Sequence, residues 1–169
     1  AGLLDPGQYT ILTAVAFSLA IEKLTDKKPG IKWVNDLYLN GKKFAGILAT
    51  GQLDTQGHLK EIIIGVGLNY DIPQSDFPKE LQEKVTSLFA DKASFPKEVL
   101  IAEFVNQFFS LLKKPQEVLQ EYKKRSFVLG KEVSFVENNI AYTGIPKDIT
   151  ETGSLVVETN LGTKILHSG

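Results

Sequence analysis

Between Ile11 and Ile21 only Thr13 and Ser18 interrupt an otherwise apolar run. Wound at 3.6 residues per turn, such a run has no polar stripe to show to water. It therefore fits a helix buried on most of its circumference better than an amphipathic surface helix. The residues that follow supply its cover. After a break at Lys27-Lys28-Pro29-Gly30 come Ile31-Lys32-Trp33-Val34, then Leu37-Tyr38-Leu39 and Phe44-Ala45-Gly46-Ile47-Leu48 on either side of Asn40-Gly41. That dipeptide is a strong short-range hairpin signal. Asp54-Thr55-Gln56-Gly57 marks a second turn, and Leu59 to Tyr70 contains Ile62-Ile63-Ile64, a β-branched run suited to a strand covered on both faces. The pattern predicts an α/β (α+β) chain: a mixed, mainly antiparallel sheet backed by helices.

Residues 72–94 are mixed, with a short helix expected near Pro78 to Leu88. Ser94 and Pro96 then mark a helix start, and Ile101, Phe104, Val105, Phe108 and Leu112 repeat at helical spacing, so this helix is expected to pack inward. Pro115 opens another, with Val118, Leu119 and Tyr122 on one face and Glu121 four residues before Arg125. After Gly130 only short strands are expected, at Val133 to Val136, Ile140 to Ile145, Leu155 to Thr159 and Thr163 to Leu166. Turns at Asn138-Asn139, Glu151-Thr152-Gly153 and Asn160-Leu161-Gly162 separate them. A small β-barrel is the natural closure. These readings divide the chain into 1–127 and 128–169, with no flexible linker and the two parts in contact.

Nineteen Lys and Arg against 20 Asp and Glu leave a net charge of −1, which offers no electrostatic case for nucleic acid or an anionic membrane. Phosphate chemistry, if present, has to be local. The absence of cysteine excludes disulfides, thiolate catalysis and cysteine-ligated metal, and permits a reducing cytoplasm. No run approaches the ~18 apolar residues of a membrane span, and no signal peptide is seen. The location expected is cytoplasmic. His58 and His167 lie in turn-like surroundings and read as solvated surface residues. The chain begins at Ala1 and has no methionine, and its opening reads as the inside of a strand-to-helix connection, so upstream sequence is expected.

The densest cluster of reactive groups is Lys32-Trp33-Val34-Asn35-Asp36 followed, across the hairpin, by Lys42-Lys43-Phe44-Ala45-Gly46. These residues resemble the Lys-Trp-Pro-Asn-Asp and Lys-hydrophobic-Ala-Gly-Ile-Leu blocks of biotin protein ligases, with the seven-residue step from Asp36 to Lys43 kept. Gly65-Val66-Gly67-Leu68-Asn69 resembles the family's glycine-hydrophobic-glycine-hydrophobic-asparagine strand. The terminal strands resemble its small SH3-like C-terminal domain. The resemblance covers nearly the whole chain, and it implies activation of biotin with ATP to biotinyl-5′-AMP, assisted by Mg²⁺, followed by transfer to a lysine of a biotin carboxyl carrier protein.

Physical chemistry gives each block a rationale. Joining a carboxylate to the α-phosphate of ATP brings negative groups together, and a fixed ammonium offsets that charge as it develops. Lys43 is the candidate, and the matching family lysine contacts the carboxylate and phosphate end of biotin and its adenylate. Asp36 is suited to orienting or deprotonating the incoming lysine amine. Glycine inside an apolar strand often marks close approach of a ligand, and the resemblance places nucleotide or adenylate against Gly65 and Gly67. It also lines the biotin pocket with the backbone of Gly46, Ile47 and Leu48, sets Asn69 near the ATP phosphates and their Mg²⁺, and adds Asn35 to the site. No protein ligands for a metal are assigned. Trp33 reads as core support.

The sequence also departs from the family. Its Gly-Arg-Gly-Arg-x-Gly adenylate loop and Thr-Ser-Thr-Asn-like segment do not occur here, Arg125 is the single arginine, the first-half strands are absent, and Val34 replaces the usual proline. Two explanations compete: an excerpt of a complete ligase, favoured by the opening residues, or a protein that has lost activation. No winged-helix domain is expected within these residues, so the repressor function of some relatives is not carried over to this chain. A non-catalytic carrier-binding remnant and a lipoate or octanoate transfer enzyme are the alternatives, the latter disfavoured by the paired Lys32-to-Asp36 and Lys43-to-Leu48 blocks. Exposed sheet edges allow a homodimer without requiring one.

Overall fold

The computed structural model describes residues 5–168. The strand-to-helix connection expected at the chain's opening falls on residues 1–4, outside the described residues. The apolar run forms the middle of α1 (Pro6–Leu24). Its start is fixed locally: Asp5 Oδ1 accepts from Gln8 N at 3.0 Å, Asp5 N donates to Gln8 Oε1 at 3.1 Å, and Pro6 fills the first turn. Every residue from Thr10 to Ser18 is buried, as the missing polar stripe requires.

The first sheet is antiparallel, in the order β1 (Gly30–Lys32), β2 (Asp36–Leu39), β3 (Lys42–Leu53), β4 (Leu59–Leu68). Asn40 and Gly41 both take positive φ, 50° and 78°, as the expected two-residue hairpin demands. β4 departs from the expectation of cover on both faces. Its exposure alternates, and Ile63 is 53% exposed. The helices cover one side of the sheet, so half of the β-branched run faces outward.

Two further helices, α2 (Lys97–Leu111) and α3 (Pro115–Arg125), pack on α1. On α2 the inward stripe is displaced from the sequence reading: Leu100, Glu103 and Leu111 are buried, whereas Ile101 and Val105 are exposed. Glu103 turns inward because Lys23 Nζ on α1 reaches both of its oxygens at 2.9 Å, and Gln107 Nε2 donates at 2.7 Å. The Lys23 bond, then the Gln107 bond, hold the Glu103 pKa below its ordinary 4.5. A depressed carboxylate contributes stability that is complete above its unfolded pKa and lost as pH falls through the folded one. Acidification below about pH 4.5 is therefore expected to lower the urea midpoint, and Glu103→Gln to flatten that acid limb. A variant that follows the wild-type limb would assign it to other carboxylates.

The helix expected near Pro78 to Leu88 is absent. That segment is a chain of turns closed by Leu81 N to Pro78 O and Lys84 N to Leu81 O, each 2.8 Å. Gln74 Nε2 donates to Gln82 O and Val85 O, and Gln82 Nε2 to Phe77 O, so side-chain amides satisfy carbonyls that a helix would have used.

The second sheet is an antiparallel meander of β5 (Val133–Glu137), β6 (Ile140–Ile149), β7 (Leu155–Thr159) and β8 (Gly162–Leu166), of the small SH3-like class. β6 runs past its expected end because Pro146 sits at a register shift, where a missing N–H is tolerated. Ile149, Leu155 and Val157 join the core formed by α1 and the first sheet. The passage between the sheets is anchored: Ser126 bridges Ile31 in parallel, and Arg125 binds Glu22 on α1 and Glu121 on α3. Burial opposes the charge on Arg125, but those two carboxylates outweigh it and raise its pKa. No helix among the described residues is long and apolar enough to cross a membrane.

Candidate functional site

The hairpin register sets Asp36 opposite Gly46, and the next ladder sets Gly46 opposite Gly67 and Leu48 opposite Gly65. Directly opposed residues share a face of a sheet. Asp36, Gly46 and Gly67 thus form one row across three strands, with Leu48 and Gly65 in a second row on the same face. Gly46 lies beneath two charges: a Cβ there would sit 3.4 Å from Asp36 Oδ1 and 3.5 Å from Lys43 Nζ. Lys43 Nζ is 2.6 Å from Asp36 Oδ1, with the side chains 40% and 24% exposed.

A pair this accessible contributes only about 0–1 kcal/mol to folding. Stability is therefore a weak account of it. What it supplies is a cation and a carboxylate held at one point above a backbone floor. At Gly65 and Gly67 the nearest atom to an added Cβ is a carbonyl oxygen 3.9 Å away, so the floor is bare. A cleft of about 310 Å³ opens there, lined by Lys43, Phe44, Ala45, Gly46, Gly67, Asn69 and Val85. Leu48 stands 68% exposed on the open face and gives it an apolar surface.

Asn69 ties the cleft's wall together. Its N–H donates to Phe44 O at 2.9 Å, and its Nδ2 to Thr86 O at 3.0 Å. The neighbouring loop returns the contact through Lys43 N to Lys84 O and Thr86 N to Lys43 O. Asn35 is bonded to β3 twice: its side-chain Nδ2 donates to Ile47 O, and its main-chain carbonyl accepts from Ile47 N, each at 2.8 Å. The expectation at Ile47 concerns its backbone alone. Its side chain is 2% exposed in the core, and Asn35 takes both of its backbone groups.

A second groove of about 440 Å³ lies between Lys32, Trp33, Asn35 and Asp36 on one side and Phe135 and Leu155 of the second sheet on the other. Asp36 borders this groove while pairing with the lysine of the first cleft. Trp33 is 8% exposed, as a core residue should be, but its indole N–H donates to Gly153 O of the second sheet at 2.8 Å. Tyr122 O–H donates to Val34 O at 2.7 Å. Sequence reasoning assigned no role to Tyr122 or Gly153 in this site, and no local signal could have, since the partners lie 88 and 120 residues apart. His58 and His167 are both exposed, and His167 Nδ1 lies 2.8 Å from Ser154 Oγ. No group of three or more His, Cys, Asp or Glu among the described residues could hold a metal.

Comparison with known proteins matches residues 3–69 to the biotin/lipoate A/B protein ligase family and residues 128–169 to the biotin protein ligase C terminal domain. The bifunctional ligase/repressor BirA of Bacillus subtilis is 31% identical over 95% of this chain and 51% of its own length. The biotin–[acetyl-CoA-carboxylase] ligase of Mycobacterium tuberculosis is 26% identical over 94% of this chain and 57% of its own. The chain thus spans about half the length of the curated relatives it matches. Among solved structures, a biotin protein ligase from Aquifex aeolicus in complex with biotin and ATP is 25% identical, with a TM-score of 0.77 over 99% of this chain and 71% of that one. Two family matches in this order, on a fold that superposes over nearly every residue, show that the chain belongs to the biotin protein ligase family.

Proposed function

We propose that this chain takes part in joining biotin to ATP and in transferring the biotinyl group to a lysine of a biotin carboxyl carrier protein. The observation that carries the reading is the Lys43–Asp36 pair above the glycine floor of Gly46 and Gly67. In the first step a biotin carboxylate oxygen attacks the α-phosphorus of ATP and pyrophosphate leaves. The Lys43 ammonium offsets the charge that gathers there. The bare backbone of Gly65 and Gly67 lets the adenylate lie against β4, beside the apolar surface of Leu48. In the second step the carrier's amine nitrogen attacks the acyl carbon, AMP leaves, and Asp36 accepts the proton. Its place between cleft and groove suits an amine arriving from the second sheet's side.

Mg²⁺ binds by preference through one or two carboxylates plus substrate phosphates and waters. The site fits that mode and no closed protein cage: Asp36 is its single carboxylate, and the Asn69 side-chain oxygen is an additional donor. The ion would neutralise phosphate charge. A cytoplasmic setting suits ATP chemistry in a cysteine-free chain, the edge of β4 suits a homodimer, and a division into units after residue 127 suits the change from helices to the meander.

The test is biotin-dependent exchange of pyrophosphate into ATP, run with Lys43→Ala alongside. Exchange that falls about 10²- to 10³-fold in the variant is expected. Exchange indifferent to the substitution would remove Lys43 from the reaction, and carrier binding without any exchange would leave a docking module.

A further inference from the structure

The link between β1 and β2 is three residues long, and each is tied to a different part of the molecule. Trp33 Nε1–H donates to Gly153 O in the β6–β7 turn, Val34 O accepts from the Tyr122 hydroxyl on α3, and Asn35 exchanges two bonds with Ile47 on β3. Asp36 follows immediately. We propose that Trp33 and Tyr122 are positioning residues for Asp36, and that through Trp33 the second sheet holds the carboxylate in place over Gly46. This deepens, and rests on, the reading of Asp36 as the transfer group.

The clamp is built from groups that have to be satisfied. Trp33 is 8% exposed and Tyr122 fully buried, and a buried N–H or O–H without a partner is costly. Burial also raises the Tyr122 pKa, which keeps its hydroxyl a neutral donor. The acceptor end is fixed as well. Gly153 has φ 90°, and a Cβ there would stand 2.8 Å from Ile11 Cδ1, so the turn lies directly on α1 and has room for glycine alone. Gly153 N donates to Thr150 O at 2.9 Å, and Ser154 N to Thr150 Oγ1 at 3.0 Å, which hold the carbonyl's direction. A three-residue link with three remote anchors has little freedom to let Asp36 drift from Lys43.

The test uses two variants of the full chain: Tyr122→Phe, which keeps the ring and deletes only the donor, and Trp33→Phe, which deletes the donor by putting a smaller aromatic ring in place of the indole. Amide hydrogen exchange is followed by NMR at Ile47, whose N–H bonds Asn35 O, and at Thr25 and Leu112, whose N–H groups bond Ile21 O and Phe108 O far from the link. Exchange at Ile47 is expected to quicken about tenfold while Thr25 and Leu112 hold. All three quickening together would reveal a loss of stability alone, and no change at Ile47 would mean no clamp; either overturns the proposal. A second arm supplies biotinyl-5′-AMP and a lysine acceptor peptide. The transfer rate constant is expected to drop about tenfold at unchanged KM for the adenylate. An unchanged rate constant beside a loosened Ile47 would overturn the link to Asp36. A wild-type chain that transfers nothing would count against the biotin reading itself, and the exchange pattern would still decide the clamp.

Discussion

Phe44→Ala is expected to remove a large share of the stability that holds this fold. Phe44 is completely buried, and truncating a buried aromatic typically costs about 3–5 kcal/mol. Domains of this size are held together by only about 5–15 kcal/mol in total. The position also lacks means to relax. Its carbonyl accepts from Asn69 N, and the preceding residue is bonded in both directions to the loop at Lys84 and Thr86, so the strand cannot sink into the void. Urea denaturation followed by circular dichroism should show the midpoint lowered by about 1 M or more. Phe109→Ala is the control: Phe109 is 66% exposed, and a surface substitution is expected to stay within about 0.5 kcal/mol. Similar midpoint shifts for the two variants would refute the assignment of Phe44 to the core.

Gly67→Val is expected to have the opposite character, a stable protein that has lost its ligand. The nearest atom to a Cβ at Gly67 is Gly46 O at 3.9 Å, ordinary contact, and valine favours strands. The added methyl groups would therefore stand in the cleft that the Lys43–Asp36 pair overlooks. Calorimetric titration with biotin and ATP should show affinity reduced about 100-fold or more, with a melting temperature at or above that of the parent. Unimpaired binding would place the ligand elsewhere; a melting temperature several degrees lower would show that the floor is less open than its neighbours imply.

The two substitutions also mark where the sequence was legible and where it was not. Short-range signals were readable. The apolar run from Ile11 to Ile21 formed a buried helix, Asn40-Gly41 made its turn, and the four short strands after residue 131 all formed. The candidate site was readable for the same reason. Asp36, Lys43 and Gly46 lie within one hairpin, so local register was enough to bring them together. Errors arose where distant partners decided the outcome. Glu103 displaced the apolar stripe of α2 because Lys23 awaited it, and Gln74 with Gln82 replaced an expected helix by turns. Ile62 to Ile64 looked like a strand covered twice because nothing local records which side of a sheet the helices take.

The bonds joining Trp33 to Gly153, Val34 to Tyr122, Glu22 to Arg125 and Gln8 to Glu151 span 120, 88, 103 and 143 residues. Their chain-entropy cost is met before any of them forms, which places the molecule among topologies that fold slowly. On the ribosome, α1 would leave the exit tunnel long before the turn at Gly153 that closes over Ile11 has been translated. Until the first sheet, α2 and α3 have followed it out, the most water-averse helix of the chain stays uncovered, and a holdase that recognises extended apolar segments would find its natural client there.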